Sequence, residues 1–135
     1  MQTASAIMTC MIITSHEGSC VRISAGDTTL VLGPVSKQSK DFKPTNFGAD
    51  VAFVSLNNAD MNGVEEARRG DKKPFAVMGP GEYEVSARGG SSSGGKDGAS
   101  VTVSGYPSKS SYGGSEKINT VYSLHFDGLS VLYLG

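Results

Sequence analysis

Residues 49–63 read ADVAFVSLNNADMNG, Ala49 through Gly63, and the reading of this stretch decides the fold. Val51, Ala52, Phe53 and Val54 form an unbroken apolar run of strand length, the pattern of a strand covered on both faces. The run breaks into Ser55-Leu56-Asn57-Asn58-Ala59-Asp60-Met61-Asn62, a polar, amide-rich loop. The end of a buried strand is where α/β proteins carry their chemistry. Asn62 and Glu65 stand at the N-cap and N3 spacing of a capping box, which predicts a helix over residues 64–69.

Upstream, residues 9–14 and 20–24 alternate as two hairpin strands turning at 16–19, and Thr28–Leu32 makes a third strand after Gly26-Asp27. In that register Cys10 faces Ile23 or Ser24 and not Cys20, so both cysteines are expected to be reduced thiols in or near the core. Residues 35–48 hold Lys37, Lys40, Lys43 and Pro44 and read as a solvated connecting loop rather than a binding patch.

Downstream, Gly70 ends the helix and Pro74 prevents its continuation. Phe75–Met78 is a second buried strand. It runs into Gly79-Pro80-Gly81, in which Pro80 presets φ and Gly81 supplies a positive φ for a type II turn. Tyr83 and Val85 alternate with Glu82 and Glu84 as a half-buried strand. The turn is read as a strand connector, with a site-bordering role as the alternative. Residues 86–100 form a flexible Gly/Ser-rich loop that lacks the GxxxxGK[ST] phosphate-cradle pattern. Val101 and Val103 begin a return strand, and residues 105–117 read as a second loop. Residues 119–126 and 129–135 are two alternating strands joined by Asp127-Gly128, the strongest short-range hairpin signal.

The 135 residues suffice for one domain with a real core. A net charge of −1 gives no bulk signal for nucleic acid or an anionic membrane. No apolar run approaches the roughly 20 residues of a membrane span, and the first ten residues lack a basic n-region and a long apolar h-region. The expectation is a soluble cytoplasmic protein.

Four segments together resemble the metallo-β-lactamase superfamily, in particular its small zinc-hydrolase-like branch. The family's metal motif runs Thr-His-x-His-x-Asp-His-Asn at the end of a strand. Aligned without gaps, Ser55 takes the Thr place, Leu56, Asn58 and Met61 the three His places, Asp60 the Asp place and Asn62 the trailing Asn. Ile13-Thr14-Ser15-His16-Glu17-Gly18-Ser19-Cys20-Val21 resembles the family's opening, with Gly18 at its His place and Gly33 at the Asp of its Asp-Pro. Gly79-Pro80-Gly81-Glu82-Tyr83-Glu84-Val85 and the closing Asn119-Thr120-Val121-Tyr122, Asp127-Gly128 and Leu134-Gly135 also resemble family signatures. The bridging metal-ligand Asp of that pattern falls just after Gly135.

The resemblance covers about residues 11–135 and implies an α/β fold, half of a metallo-β-lactamase-like αββα sandwich. Its sheet is expected to be mostly mixed or antiparallel, with eight or nine strands and one or two short helices, in a single domain over residues 1–135. It also implies that three of four ligands are gone. Leucine has no lone pair to offer, an Asn carbonyl is a weak zinc ligand, and Met sulfur suits softer ions. Asp60 is left as a vestigial metal residue. His16 and His125 are read as solvent-facing or satisfied histidines rather than recruited ligands. The expected function is a non-catalytic scaffold or binding module with no cofactor. The alternative is a metal-dependent hydrolase with an altered zinc site. A half-sandwich leaves apolar face and edge uncovered, so a homodimer or a partner chain supplying the second half is expected, with neither nucleic acid nor membrane as a partner.

Overall fold

The computed structural model describes residues 11–86, 100–126 and 128–135; the Gly/Ser-rich loop and Cys10 lie outside them. Nine strands are named: β1 (Met11–Ser15), β2 (Val21–Ala25), β3 (Thr28–Leu32), β4 (Val51–Val54), β5 (Phe75–Met78), β6 (Gly81–Ser86), β7 (Ser100–Ser110), β8 (Lys117–Phe126) and β9 (Leu129–Tyr133). They form two sheets, ordered β1-β2-β3-β4-β5 and β6-β7-β8-β9. The first is mixed, antiparallel from β1 to β3 and parallel from β3 through β4 to β5. The second is an antiparallel meander. This architecture is the expected half of an αββα sandwich.

The apolar run of β4 is explained by what lies on its two sides. Val51 and Phe53 face the second sheet and join Ile23, Leu30, Val77, Val103, Tyr122 and Leu124 in the sandwich core. Ala52 faces the other way and packs with Cys20, Val31, Val35, Ala49 and Ala67 under the 35–48 connection, with Phe42 and Phe47 at its margin. All four residues of β4 are buried, as a central parallel strand requires. Cys20 is a free buried thiol, its Sγ 3.8 Å from Thr45 Oγ1; burial pushes its pKa up and keeps it in the unreactive thiol form.

Two local expectations are corrected. The helix over 64–69 is instead one turn of 3-10 helix, Val64–Ala67, whose N-cap is Gly63 with no side-chain cap. Both members of the supposed capping box have other partners. Asn62 Nδ2 donates to Asn57 Oδ1 at 2.9 Å, and the Glu65 carboxylate meets Lys73 Nζ at 2.6 Å.

The loop expected over 105–117 is also mostly strand. β7 runs on to Ser110 and β8 starts at Lys117, paired from Thr102↔His125 to Ser110↔Lys117. Pro107 is tolerated there because β6 pairs with β7 only as far as Gly105, which leaves Pro107 on a stretch paired on one side only. This extension carries the β7–β8 hairpin past the sandwich core toward the end of β4, where Thr120 N–H donates to Ser55 O at 2.8 Å.

Candidate functional site

The parallel strands β3 and β4 end side by side, and their exits build the site. β3 leaves through Gly33-Pro34, with Gly33 N–H donating to Phe53 O at 2.9 Å. Gly33 has φ +68°, and a Cβ there would collide with the Tyr133 hydroxyl, which donates to Ser19 O at 2.8 Å. The close approach of β9 to the β1–β2 turn therefore requires glycine.

The β4 exit folds back on itself. Met61 N–H donates to Asn58 O, Asn58 N–H to Leu56 O, and Asp60 N–H to Asn58 Oδ1 at 2.8 Å, an Asx-type closure. Leu56, Asp60 and Met61 are drawn into one wall of a cavity of about 700 Å³. Phe42, the β7–β8 hairpin and the last two residues close it from the other sides. Asn58 borders an adjoining hollow of about 440 Å³ that shares Asp60 and Tyr112 with the first.

The four positions of the resembled motif thus gather at one place, but their chemistry has changed. Leu56 is 2% exposed and offers no donor atom. Met61 sulfur accepts the Ser55 hydroxyl at 3.7 Å, and the Asn58 carbonyl oxygen is taken by Asp60 N–H. Asp60 is 9% exposed. Its Oδ1 accepts from Ser39 Oγ at 2.5 Å and its Oδ2 from the Tyr112 hydroxyl at 2.7 Å. The hydrogen bond to Asp60 raises the Tyr112 pKa, because ionising the phenol breaks that bond and sets two negative charges together.

His16 stacks on Phe47 with ring centroids 4.7 Å apart. His125 stands exposed on β8 between Ser123 Oγ at 3.0 Å and Ser130 Oγ at 2.8 Å. Neither borders the cavity. Among the described residues no group of three or more His, Cys, Asp and Glu could hold a metal ion. The donor set at the motif positions does not fit zinc, which takes imidazole, thiolate or carboxylate in four-fold arrangement.

Ser39 and Tyr112 were not legible as site residues. They stand 21 and 52 residues from Asp60, in segments whose composition reads only as loop. Their role predicts a simple result. Tyr112→Phe should cost about 1 kcal/mol and Asp60→Ala about 2 kcal/mol in urea unfolding, from loss of charge-assisted bonds at a partly exposed site. A carboxylate kept for a metal would behave oppositely, its removal leaving the metal-free protein unharmed or stabilised.

The family profile of the beta-lactamase superfamily domain matches residues 12–135. The chain belongs to this family. Two solved structures share its fold. One is a proposed Zn-dependent hydrolase of the metallo-beta-lactamase superfamily from Thermotoga maritima, 20% identical, TM-score 0.57, covering 93% of this chain and 50% of its own. The other is a proposed metal-dependent hydrolase from Parabacteroides distasonis, 13% identical, TM-score 0.58, covering 93% of this chain and 60% of its own. The beta-lactamase superfamily domain described here thus spans about half the length of these solved relatives. No curated protein matches it. Among the described residues no helix is long and apolar enough to cross a membrane.

Proposed function

We propose that this beta-lactamase superfamily domain is a non-catalytic member of its family, acting as a scaffold or as a binding and assembly module after loss of the zinc ligands. One observation carries the reading. The single carboxylate left at the motif, Asp60, has both oxygens engaged by the hydroxyls of Ser39 and Tyr112, while the neighbouring motif positions Leu56 and Met61 are apolar and buried.

The partner we propose is a second copy or a chain that supplies the second half of the sandwich. Its support is exposed apolar side chains on two outer strands, one in each sheet. β1 is an outer strand of the first sheet and β9 of the second, and Ile12, Ile13, Leu129 and Leu132 are exposed along them. Neither strand carries a charge or a proline, the devices that blunt free edges. A cytoplasmic setting belongs to the same proposal, with Cys20 a free thiol.

The competing reading, a metal-dependent hydrolase with an altered metal site using Asp60, draws on the hydrolase names of both solved relatives. Elemental analysis of the purified protein, paired with sedimentation, separates the two. The expected result is no stoichiometric zinc and a mass of twice the chain or more, falling to the monomer in Leu132→Lys. One zinc per chain that is lost in Asp60→Ala overturns the non-catalytic reading. A metal-free monomer overturns the assembly proposal alone when no other chain copurifies.

A further inference from the structure

We propose that Ser123 is an acyl-acceptor site, a serine that His125 activates toward esters and thioesters with good leaving groups. None of its residues lines the motif cavity, and the proposal stands independently of how that motif is read.

The strand period places the groups. Tyr122 and Leu124 point into the sandwich core, so Ser123 and His125 share the outer face of β8. Ser130 is the direct cross-strand partner of His125 in β9 and therefore stands on the same face. The exposed ring is held at both nitrogens, with Nε2 3.0 Å from Ser123 Oγ and Nδ1 2.8 Å from Ser130 Oγ. A neutral imidazole has one N–H and one lone pair. One hydroxyl must therefore donate to the ring while the other accepts the ring's N–H. Nδ1 lies beside the histidine's own backbone and suits the holding contact, whereas Nε2 is the outer end of the ring. Ser130 accordingly accepts from Nδ1–H and fixes the ring, and Ser123 donates to Nε2. These are the roles of base and nucleophile in a serine–histidine pair.

In the step proposed, Ser123 Oγ bonds to the acyl carbon as its proton passes to His125 Nε2. The carbonyl electron pair moves to oxygen and returns as the bond to the leaving group breaks. The departing thiolate or aryloxide takes up the Nε2 proton, and an O-acyl serine remains.

Two features limit the rate and thereby select the substrate. The group that holds the ring is a hydroxyl, and loss of the carboxylate from a full triad costs about 10⁴ in kcat. β8 is paired on both sides through Ser123 and His125, which spends its amides in the ladder. The strand therefore builds no oxyanion hole, and one missing donor costs about 10²–10³. Ordinary esters and peptides are too unreactive for such a pair. Activated acyl donors are within its range. The O-acyl serine is itself an ordinary ester, so it persists, and the reaction is a single modification rather than turnover.

p-Nitrophenyl acetate tests the assignment. Mass spectrometry locates the acetyl group, and neutral hydroxylamine distinguishes a serine ester from an amide on lysine. Leu132 lies directly across from Ser123, and a copy docked on it would cover the hydroxyl. The assay is therefore run on the chain carrying Leu132→Gln, at an exposed position. The expected result is one hydroxylamine-sensitive acetyl group per chain, on Ser123. His125→Gln keeps a donor and an acceptor between the two serines but no base, and should slow acetylation about a hundred-fold. Ser123→Ala should abolish it. Ser130→Ala should slow it with an unchanged circular dichroism spectrum. Acetyl on Ser130 or on lysines alone, an equal rate in His125→Gln, or an unchanged nitrophenolate burst in Ser123→Ala overturns the assignment.

Discussion

Tyr122→Ala should leave a chain that does not hold its native fold, with about 5 kcal/mol of stability lost, and Tyr122→Phe should lose about 2 kcal/mol. The ring is fully buried and packs edge-on against Phe53 with centroids 5.4 Å apart, so truncation opens a cavity between the sheets at about 3–5 kcal/mol. Its hydroxyl crosses from the second sheet to the first. It donates to Val54 O at 2.7 Å and lies 3.3 Å from Val77 O, while accepting from Gly79 N–H at 3.0 Å. One side chain thereby ties the ends of β4 and β5 and the turn before β6 to the middle of β8. Removing the hydroxyl alone leaves a buried acceptor and a donor unpaired, at about 1–3 kcal/mol. For a domain whose whole stability is about 5–15 kcal/mol, the alanine variant is close to or past the threshold.

The same hydroxyl gives a signature in pH. Burial pushes the Tyr122 pKa from 10.0 up to about 12. The neutral phenol is favoured in the folded state, so its contribution is complete below pH 10. It is lost as pH rises toward 12, where the unfolded chain releases the proton and the folded one keeps it. Two pH units correspond to about 3 kcal/mol. Tyr133, also raised by burial, adds in the same direction. Urea unfolding followed by circular dichroism across this range should show a steep alkaline loss that is smaller in Tyr122→Phe. An unchanged slope in that variant would mean the phenol is not buried as described.

Tyr122 was marked in the sequence only by its place in the resembled Asn-Thr-x-Tyr signature, while β4 was legible in itself, and the difference follows from the range of the forces. A strand buried on both faces writes itself as Val51-Ala52-Phe53-Val54, because every side chain has the same apolar neighbourhood. The Asp127-Gly128 hairpin signal is likewise local, a matter of turn chemistry. Tyr122 alternates correctly in β8, yet its partners are 68 and 45 residues away, and apart from that signature nothing local shows that its hydroxyl bridges the two sheets. The extension of β7 to Ser110 was hidden by Pro107, which local rules read as a break and which the absence of β6 beyond Gly105 permits. The capping-box pattern at Asn62 and Glu65 misled for the same reason. A local spacing was outcompeted by Asn57 and Lys73. The resembled motif positions were legible as a set, and they do converge. What occupies Asp60 was not, because Ser39 and Tyr112 arrive from distant loops.

Gly63→Ala should cost about 3 kcal/mol, although nothing in its conformation demands glycine. Gly63 has φ −83° and ψ 59°, a region open to other residues. The obstacle is space. A Cβ would lie 2.5 Å from the carbonyl carbon and oxygen of Val35 and 2.6 Å from Ser36 N. These are backbone atoms, held in place by Val35 N–H to Thr45 Oγ1 at 2.8 Å and Thr45 N–H to Val35 O at 3.1 Å. The loop after β4 is stitched to the same segment by Gly63 N–H to Pro34 O at 2.8 Å and Ser36 N–H to Ala59 O at 2.9 Å. A methyl group here must push the two loops apart, and overpacking that moves backbone costs about 1–3 kcal/mol, toward the upper end where neither side can yield.

The displacement should be read at the site as well. Separating the loops pulls Asp60 from Ser39, whose hydroxyl is placed by the segment after Ser36, and slackens the Tyr112 bond. The Tyr112 phenol should then titrate closer to the ordinary tyrosine value. Gly70→Ala is the control. Gly70 has φ +62° with nothing near its absent Cβ, so alanine there pays only the left-handed backbone penalty of about 1 kcal/mol and leaves Tyr112 alone. Equal losses in the two variants, with an unmoved Tyr112, would mean that the two loops are not locked together and that the cavity wall they build is not fixed.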